Sequence, residues 1–481
     1  MSDNQEVSNS KIASSFFWVL IEKFGYSGIN LISNLILARL LSPYEFGLIG
    51  SVAIVISISN MIVDSGMGAA LVQKKNTTNK DFNTIFTFNL FISISLYFII
   101  FISAPLIADY LGSSVLKDII RVLSLTLIFN AFTLTQRVIL IKKLLFKRQS
   151  LISLISLIVS VTFAILAAYN NWGVWAIVTQ SLLYSGIFSI IIFFVIRYVP
   201  KLEFSYHSFR ELLGFGGRVV LSSAIQVGYG DIISSVIAKV YTIHITGLYA
   251  QSQKLLSLPV YIFKSLFDSV AFPILSRTKN RDEFKIMCSQ INRFIYLIAF
   301  PLLLAIPFNT RRIIEVVLGE QWLEADKIFT ILSIGVIVSL IDVAALGTLK
   351  SAGEAKTLLN MGASKAIIGI SILFVTFLFS IELLVCGVIL TNLIAGFLAI
   401  YQIDQLTPYK IKDQLRDISI PLLISITANS LAHFFLYFVT FEQAVIDLLV
   451  FITIMVFVFT ILCLLFKINE LNLIIKKLKK K

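Results

Sequence analysis

Residues 64–76 of the chain read DSGMGAALVQKKN, and residues 268–280 read DSVAFPILSRTKN. Asp, Ser, Leu, Lys and Asn recur at the same offsets without a gap. Each copy ends a long apolar stretch, and both stretches begin with Gly-Leu, at residues 47–48 and 247–248. Self-similarity at corresponding places is typical of membrane proteins built from two related halves. The repeat therefore predicts two similar halves.

Apolar stretches like these two occupy most of the 481-residue chain. Hydrophobic residues make up 57% of it and charged residues only 14%, whereas soluble domains average about 25% charged residues. The stretches are long and continuous, which is typical of membrane-spanning helices and not of a β-barrel. The sequence therefore predicts an all-α polytopic membrane protein with about fourteen spans, at residues 14–38, 46–72, 83–107, 117–140, 150–169, 173–196, 212–238, 247–273, 287–307, 327–349, 358–379, 382–403, 417–438 and 445–466. Spans 117–140 and 212–238 are the most polar.

Basic residues set the expected orientation of these spans. With the N-terminus in the cytoplasm, the lysine- and arginine-rich segments 74–80, 142–148, 277–285 and 467–481 all face the cytoplasm, as the positive-inside rule requires. Both termini are then cytoplasmic. The net charge of +13 reflects this topology, and no nucleic-acid partner is expected. The polar N-terminus lacks a basic segment followed by a cleavage site, so the first span is expected to be an anchor.

The two repeat copies end spans 2 and 8, which are six spans apart. Because six is an even number of membrane crossings, the two halves share one orientation in the membrane. This predicts an N-lobe over residues 1–204 with spans 1–6 and a C-lobe over 205–404 with spans 7–12. Residues 405–481 would add spans 13–14 and a basic cytoplasmic tail. Lobes related in this way are expected to leave a cleft, with a substrate site near the middle of the membrane.

Polar side chains inside spans 1, 2, 7 and 8 fall on helical stripes. Charged groups within a membrane are costly, so they usually face a partner or a watery cavity. The stripes predict a polar cavity lined by Glu22, Tyr26, Asn30, Asn60, Tyr229 and Tyr261. The basic candidates to bind a phosphate or diphosphate in it are Lys23, Arg218, Lys254 and Lys264. A competing expectation is that Lys264 is neutralised by Asp268, four residues later on the same helix.

Three carboxylates in these spans, Asp64, Asp231 and Asp268, are candidates for a gate or for ion coupling. Two interpretations of Asp64 stay open: an ion-pair partner near Lys74 and Lys75, or a protonatable coupling group. The small residues 66–70 that follow it favour close helix approach or a bend. The remaining intramembrane charges, Arg293, Asp342 and Lys365, are expected to pair or to extend toward the membrane surface.

Known binding motifs for metals and nucleotides do not occur in the sequence. The three histidines are scattered without metal-ligand spacing, and there is no nucleotide-binding P-loop, so neither a metal nor a cofactor is expected. The cysteines all fall in predicted spans, so no disulfide framework is expected. Any transport would then be driven by an ion gradient, the membrane potential or the gradient of the substrate.

Several segments together resemble one known family: SPYEFGLIG (42–50), DSGMGAALVQKKNTTNKDF (64–82), GLYAQSQKLLSLPVYIFKSLFDSVAFPILSR (247–277) and LGEQWLEA (318–325). They are similar to the bacterial polysaccharide transporters, the Wzx-like flippases of lipid-linked oligosaccharides. The resemblance implies the V-shaped fold of the multidrug/oligosaccharidyl-lipid/polysaccharide exporters. It implies a non-enzymatic carrier that moves an undecaprenyl-diphosphate-linked glycan across the bacterial cytoplasmic (inner) membrane by alternating access. The implied partners are that glycan, membrane lipid, a polysaccharide polymerase and a chain-length regulator.

Two other functions fit part of the pattern. A multidrug-type antiporter coupled to cations would need an acidic cation site. A membrane-embedded glycan polymerase or ligase would need a sizeable exterior loop, whereas the longest predicted exterior loop, 309–326, is short. The sequence favours the flippase.

Overall fold

The computed structural model describes residues 9–278, 280–439, 441 and 443–466. Side chains are not described for residues 9–16, 215, 218–229 and 355. Within the described ranges the regular structure is entirely helical: α1 Asn9–Leu40, α2 Pro43–Asp64, α3 Met67–Gln73, α4 Asn79–Leu111, α5 Val115–Leu123, α6 Leu125–Lys142, α7 Phe146–Tyr169, α8 Trp175–Ile196, α9 Tyr206–Val240, α10 Ile243–Leu266, α11 Phe272–Arg277, α12 Arg281–Phe308, α13 Thr310–Val317, α14 Asp326–Ser351, α15 Ala355–Thr376, α16 Ile381–Leu406, α17 Ile411–Phe438 and α18 Ala444–Leu465. A π-helix, Phe267–Ala271, joins α10 to α11, and a 3₁₀-helix, Glu320–Ala325, precedes α14.

Eleven helical segments in the described ranges are long and apolar enough to cross a membrane. They correspond to predicted spans 2, 3, 5, 6 and 8–14, so the all-α polytopic class is confirmed. The other three predicted spans also form helices, α1, α6 and α9, but these are not among the eleven. The count of fourteen is therefore not confirmed. Predicted span 117–140 is also interrupted, because α5 ends and α6 begins on either side of Ser124.

Predicted span 46–72 breaks at the first repeat copy. Ser65 and Gly66 are both left-handed, with φ of 47° and 63°, and they separate α2 from α3. A Cβ atom at Gly66 would lie 2.3 Å from the carbonyl oxygen of Gly216 on α9, so only glycine permits this approach. The second copy is irregular at the same place, since Asp268 lies in the π-helix. Both copies of the repeat thus interrupt an α-helix at an aspartate.

The Gly-Leu pair of each repeat copy marks a second close contact. A Cβ atom at Gly47 would lie 1.8 Å from the carbonyl oxygen of Ile243, and one at Gly247 would lie 1.8 Å from that of Pro43. Each glycine therefore faces the residue four positions before the other glycine. This reciprocal contact is what two copies of one motif produce when they pack on each other.

The chain divides into two compact units, Met1–Gly247 and Leu248–Lys481. Helix α9, predicted to open the C-lobe, belongs to the first unit, where the hydroxyl of Ser235 donates to the carbonyl of Ser51 on α2 at 3.2 Å. Lys239 Nζ donates to the Tyr110 carbonyl at 2.7 Å. The boundary between the two units thus lies one helix later in the chain than the lobe boundary predicted at residue 204, and the two predicted lobes with their C-terminal addition stay a prediction.

Candidate functional site

A continuous set of aromatic and polar side chains from α1, α6 and α8 lies in the first unit. The ring centroids of Tyr26 and Tyr184 are 5.7 Å apart, edge to face, and those of Tyr184 and Phe188 are 6.1 Å apart. The guanidinium carbon of Arg137 lies 4.2 Å above the ring of Phe188, a cation–π contact. Three helices thereby contribute to one surface.

Helix α2 extends this surface through two polar residues one turn apart, Asn60 and Asp64. The side-chain amide of Asn130 on α6 donates to Asn60 Oδ1 at 2.8 Å. Asn130 and Arg137 are two turns apart on α6 and so share a face. Arg137 is within electrostatic range of both Tyr26 and Asp64. We call this set the aromatic–polar wall; its members are Tyr26, Asn60, Asp64, Asn130, Arg137 and Tyr184.

Members of the wall are neither fully buried nor fixed by strong ion pairs. Asp64 is exposed, and the other five are half-buried. The Nε atom of Arg137 is buried and has no hydrogen-bond partner within the described residues. Asp64 and Tyr184 lie on α2 and α8, which are among the eleven candidate spans, and an accessible polar residue on such a helix is expected to face water or a ligand, because lipid cannot satisfy it. The wall therefore has free hydrogen-bonding capacity.

Three wall residues, Asn130, Arg137 and Tyr184, were not among the sequence-predicted site residues. Arg137 lies within a predicted span, and a charged residue inside a span could have indicated a polar site. Asn130, seven residues earlier on the same helix face, would have strengthened it. Tyr184 had no signal, because a tyrosine in an apolar stretch of α8 resembles an ordinary core residue.

The other predicted residues of the first unit lie around the wall. Glu22 accepts hydrogen bonds from Gln149 Nε2 at 3.3 Å and from the hydroxyl of Ser150 at 3.4 Å. Lys23 is exposed. Asn30 is half-buried on α1, one turn after Tyr26, and Asp231 is half-buried on α9. The side chains of Arg218 and Tyr229 lie outside the described residues.

The expected neighbours of Asp64 are engaged elsewhere. Lys74 pairs with Asp81 at 3.2 Å and with Glu211 at 2.8 Å, and it lies in the loop between α3 and α4. Burial acts to lower the pKa of Lys74, but its hydrogen bonds to Glu211 and Asp81 outweigh burial, and the pKa is raised. Arg137, and not Lys74, is therefore the basic residue that acts on Asp64.

In the second unit, α10 presents the predicted basic stripe. Lys254, Tyr261 and Lys264 are all exposed. Across the part of the chain that the structure describes, neither lysine forms an ion pair. The expected Lys264–Asp268 pair is wrong: Asp268 Oδ1 is bound by Lys350 Nζ at 2.9 Å. The π-helix changes the course of the chain at Asp268, and Lys350 comes from α14, 82 positions away in sequence.

The remaining intramembrane charges of the second unit are paired, as predicted. Arg293 Nε donates to Asp417 Oδ1 at 3.1 Å, and the hydroxyls of Tyr409 and Ser289 donate to Asp417 Oδ2. Lys365 Nζ lies 2.7 Å from Asp342 Oδ2. Asp417 is fully buried and Asp342 nearly so. These groups hold helices together, so they are not candidates for binding a substrate.

Among the described residues, no group of three His, Cys, Asp or Glu side chains is arranged to hold a metal ion. What the two units offer instead is hydrogen bonding and positive charge. The first unit presents an aromatic–polar wall, and the second presents two exposed ammonium groups on a membrane-spanning helix.

Comparison with known proteins assigns the chain to a class. Residues 36–327 match the family model described as polysaccharide biosynthesis protein. The chain is 23% identical to the teichuronic acid biosynthesis protein TuaB of Bacillus subtilis (strain 168), over 67% of this chain and 68% of that protein. It is 23% identical to the lipopolysaccharide biosynthesis protein WzxC of Escherichia coli (strain K12), over 83% and 80%. Among solved structures, the lipid II flippase MurJ in an inward closed conformation matches with a TM-score of 0.75 and 15% identity, over 93% of this chain and 99% of that chain. The fold of this chain is therefore similar to that of a solved polytopic membrane protein.

Proposed function

The chain belongs to the polysaccharide biosynthesis protein family, and from this premise we propose that it is a flippase for undecaprenyl-diphosphate-linked oligosaccharide repeat units. It is a carrier and not an enzyme. It acts in the bacterial cytoplasmic membrane with both termini in the cytoplasm, and it delivers the glycan to the outer leaflet. A polysaccharide polymerase and a chain-length regulator are the proposed partners that act on the delivered glycan.

The observation that carries this proposal is the pair of exposed lysines on α10, Lys254 and Lys264. An ammonium group on a membrane-spanning helix is costly unless it meets water or an anion. The other basic side chains deep in the second unit, Arg293 and Lys365, have buried carboxylate partners. Lysines without such a partner are suited to a diphosphate, which they bind as point charges. In the first unit, Lys23 and Arg218 are proposed as basic contacts to a diphosphate.

We propose that translocation follows alternating access. The diphosphate and sugars enter the polar region from the cytoplasm while the polyprenyl tail stays in lipid, and a conformational change then opens the region to the other side. The helix interruptions at Ser65–Gly66 and Phe267–Ala271 are the proposed bending points, because irregular turns commonly mark kinks and hinges. Asp268 with Lys350 is a proposed gate pair, and Asp64 is proposed to act as an ion partner of Arg137.

A multidrug-type antiporter is less well supported by the same charges. Such a carrier needs a carboxylate free to bind a cation. Asp268 is already bound by Lys350, and Asp64 lies within the field of Arg137. The exposed charges on α10 are positive, which suits an anionic substrate and repels a cationic drug.

Binding of undecaprenyl diphosphate to the purified full-length protein in nanodiscs tests the proposal. We expect Lys254→Ala/Lys264→Ala to weaken binding at least about tenfold, since each lost charge-assisted contact contributes roughly 1.5–3 kcal/mol. The matched control is Lys356→Ala, which removes an exposed lysine from the start of α15 and should leave the affinity unchanged. Unaltered affinity in a well-folded double variant would show that these lysines do not bind the head group.

A further inference from the structure

We infer that the aromatic–polar wall of the first unit is a binding subsite for the sugar that is attached to the diphosphate, and that it accepts a neutral pyranose ring. The inference rests on the proposed flippase function and adds to it a second kind of binding, that of a sugar. Lys23 of the same unit is proposed to bind the diphosphate, whereas the wall binds the carbohydrate.

The aromatic part of the wall is held in a fixed geometry. The hydroxyl of Tyr184 lies 3.4 Å from the hydroxyl of Ser153 on α7, and the ring of Tyr26 packs edge to face on that of Tyr184. Both rings remain half-exposed. A pyranose ring presents a face of C–H groups, which carry slight positive charge and pack against the negative face of an aromatic ring. Two fixed, half-open tyrosines therefore suit a sugar better than an extended apolar chain.

The polar part of the wall matches sugar hydroxyls. Asn60 and Asn130 offer amide donors and acceptors, Asp64 offers acceptors, and Arg137 offers donors. The opposite charges of Asp64 and Arg137 leave the wall close to neutral. A neutral, hydroxyl-rich ring is therefore favoured over a second phosphate or an acidic sugar.

The position of the wall connects it to the head group. Lys23 and Tyr26 are three residues apart on α1, which is about 4.5 Å along the helix axis and comparable to one sugar ring. A diphosphate held at Lys23 would place the first sugar beside Tyr26.

The wall differs from a network that only holds helices together. Asn89 and Gln136, on α4 and α6, are fully buried, with side-chain atoms that lack partners in the described part of the chain. Those residues are inaccessible to a ligand. Members of the wall are half-buried or exposed, so a ligand can reach them without rearrangement of the helices.

The test compares undecaprenyl diphosphate with the same lipid carrying glucose, galactose, N-acetylglucosamine or glucuronate, each titrated against the full-length protein in nanodiscs. We expect the wild-type protein to bind at least one of the three neutral sugar lipids about fivefold or more tightly than undecaprenyl diphosphate. Tyr184→Ala and Arg137→Ala should abolish this preference while changing the affinity for undecaprenyl diphosphate less than twofold. Tyr184→Phe keeps the ring and should retain the preference.

Each other outcome counts against a different statement. If the sugar preference survives in both alanine variants, or if the wild-type protein prefers none of the neutral sugars, the subsite is wrong although the flippase proposal stands. A preference for glucuronate alone would overturn the neutral-sugar assignment. If the wild-type protein binds neither undecaprenyl diphosphate nor any sugar lipid, the proposed function fails and the subsite fails with it.

Discussion

The two units treat their intramembrane polar groups in opposite ways. In the second unit, Arg293 and Lys365 lie within salt-bridge distance of buried carboxylates. In the first unit, the wall is joined by ring contacts and one amide hydrogen bond, and its charged members are half-open. Paired buried charges fix the relation between helices, whereas half-open groups are left to bind. The comparison indicates that much of the second unit's polarity is structural, and we propose that the polarity of the wall is functional.

The largest expected effect comes from breaking a buried pair in the second unit. Asp417→Asn removes the negative charge of the buried carboxylate that binds the Arg293 guanidinium, so the free energy of unfolding should fall by about 3–5 kcal/mol. Chemical unfolding in detergent micelles measures this loss. Arg137→Met, which removes a wall charge in the first unit, should change the same quantity by less than about 1 kcal/mol, because Arg137 is only half-buried and lies beyond salt-bridge distance of every described carboxylate.

A double variant controls for the loss of the carboxylate itself. Arg293→Met/Asp417→Leu removes both charges and should recover most of the stability, since replacing a whole buried pair by apolar groups is often neutral. If Arg137→Met destabilises the protein as much as Asp417→Asn does, the distinction between structural and functional polar groups is lost.

A smaller effect is expected at the helix interruption of the first repeat copy. Gly66→Ala combines a positive φ with a Cβ atom 2.3 Å from the Gly216 carbonyl oxygen. We expect a loss of about 2–4 kcal/mol, from left-handed strain and from displaced backbone together. The control is Gly112→Ala, where φ is also positive but no atom lies within 4 Å of the added carbon, and there the loss should be about 1–2 kcal/mol.

Equal losses at the two glycines would mean that the Gly66–Gly216 approach adds nothing beyond backbone strain. The interruption would then be a local turn and not a packed joint between α2 and α9. A larger loss at Gly66 would sharpen the contrast with the second copy, where Asp268 lies in a continuous π-helix.

The sequence alone was sufficient for the helical membrane class, the repeat and the pairing of Arg293, Asp342 and Lys365. Apolar length and intramembrane charge are local or additive properties, so they can be read without a structure. The Lys264–Asp268 prediction failed because spacing on one helix cannot reveal a lysine on α14. The predicted set of wall residues was incomplete for the same reason. The candidate binding role of Arg137 follows only from its contacts with Tyr26, Asp64 and Phe188, and these residues come from three other helices.

Movement of a lipid-linked sugar between leaflets tests the central claim most directly. Purified protein is reconstituted into vesicles with a fluorescent undecaprenyl-diphosphate-linked sugar, and a membrane-impermeant quencher reports how much of the lipid reaches the outer leaflet. An ion gradient is imposed in parallel samples. The account predicts that wild-type vesicles lose the protected inner-leaflet fluorescence, whereas Lys254→Ala/Lys264→Ala vesicles retain it. Wild-type vesicles that keep their inner-leaflet signal like protein-free vesicles, with and without the gradient, would contradict it.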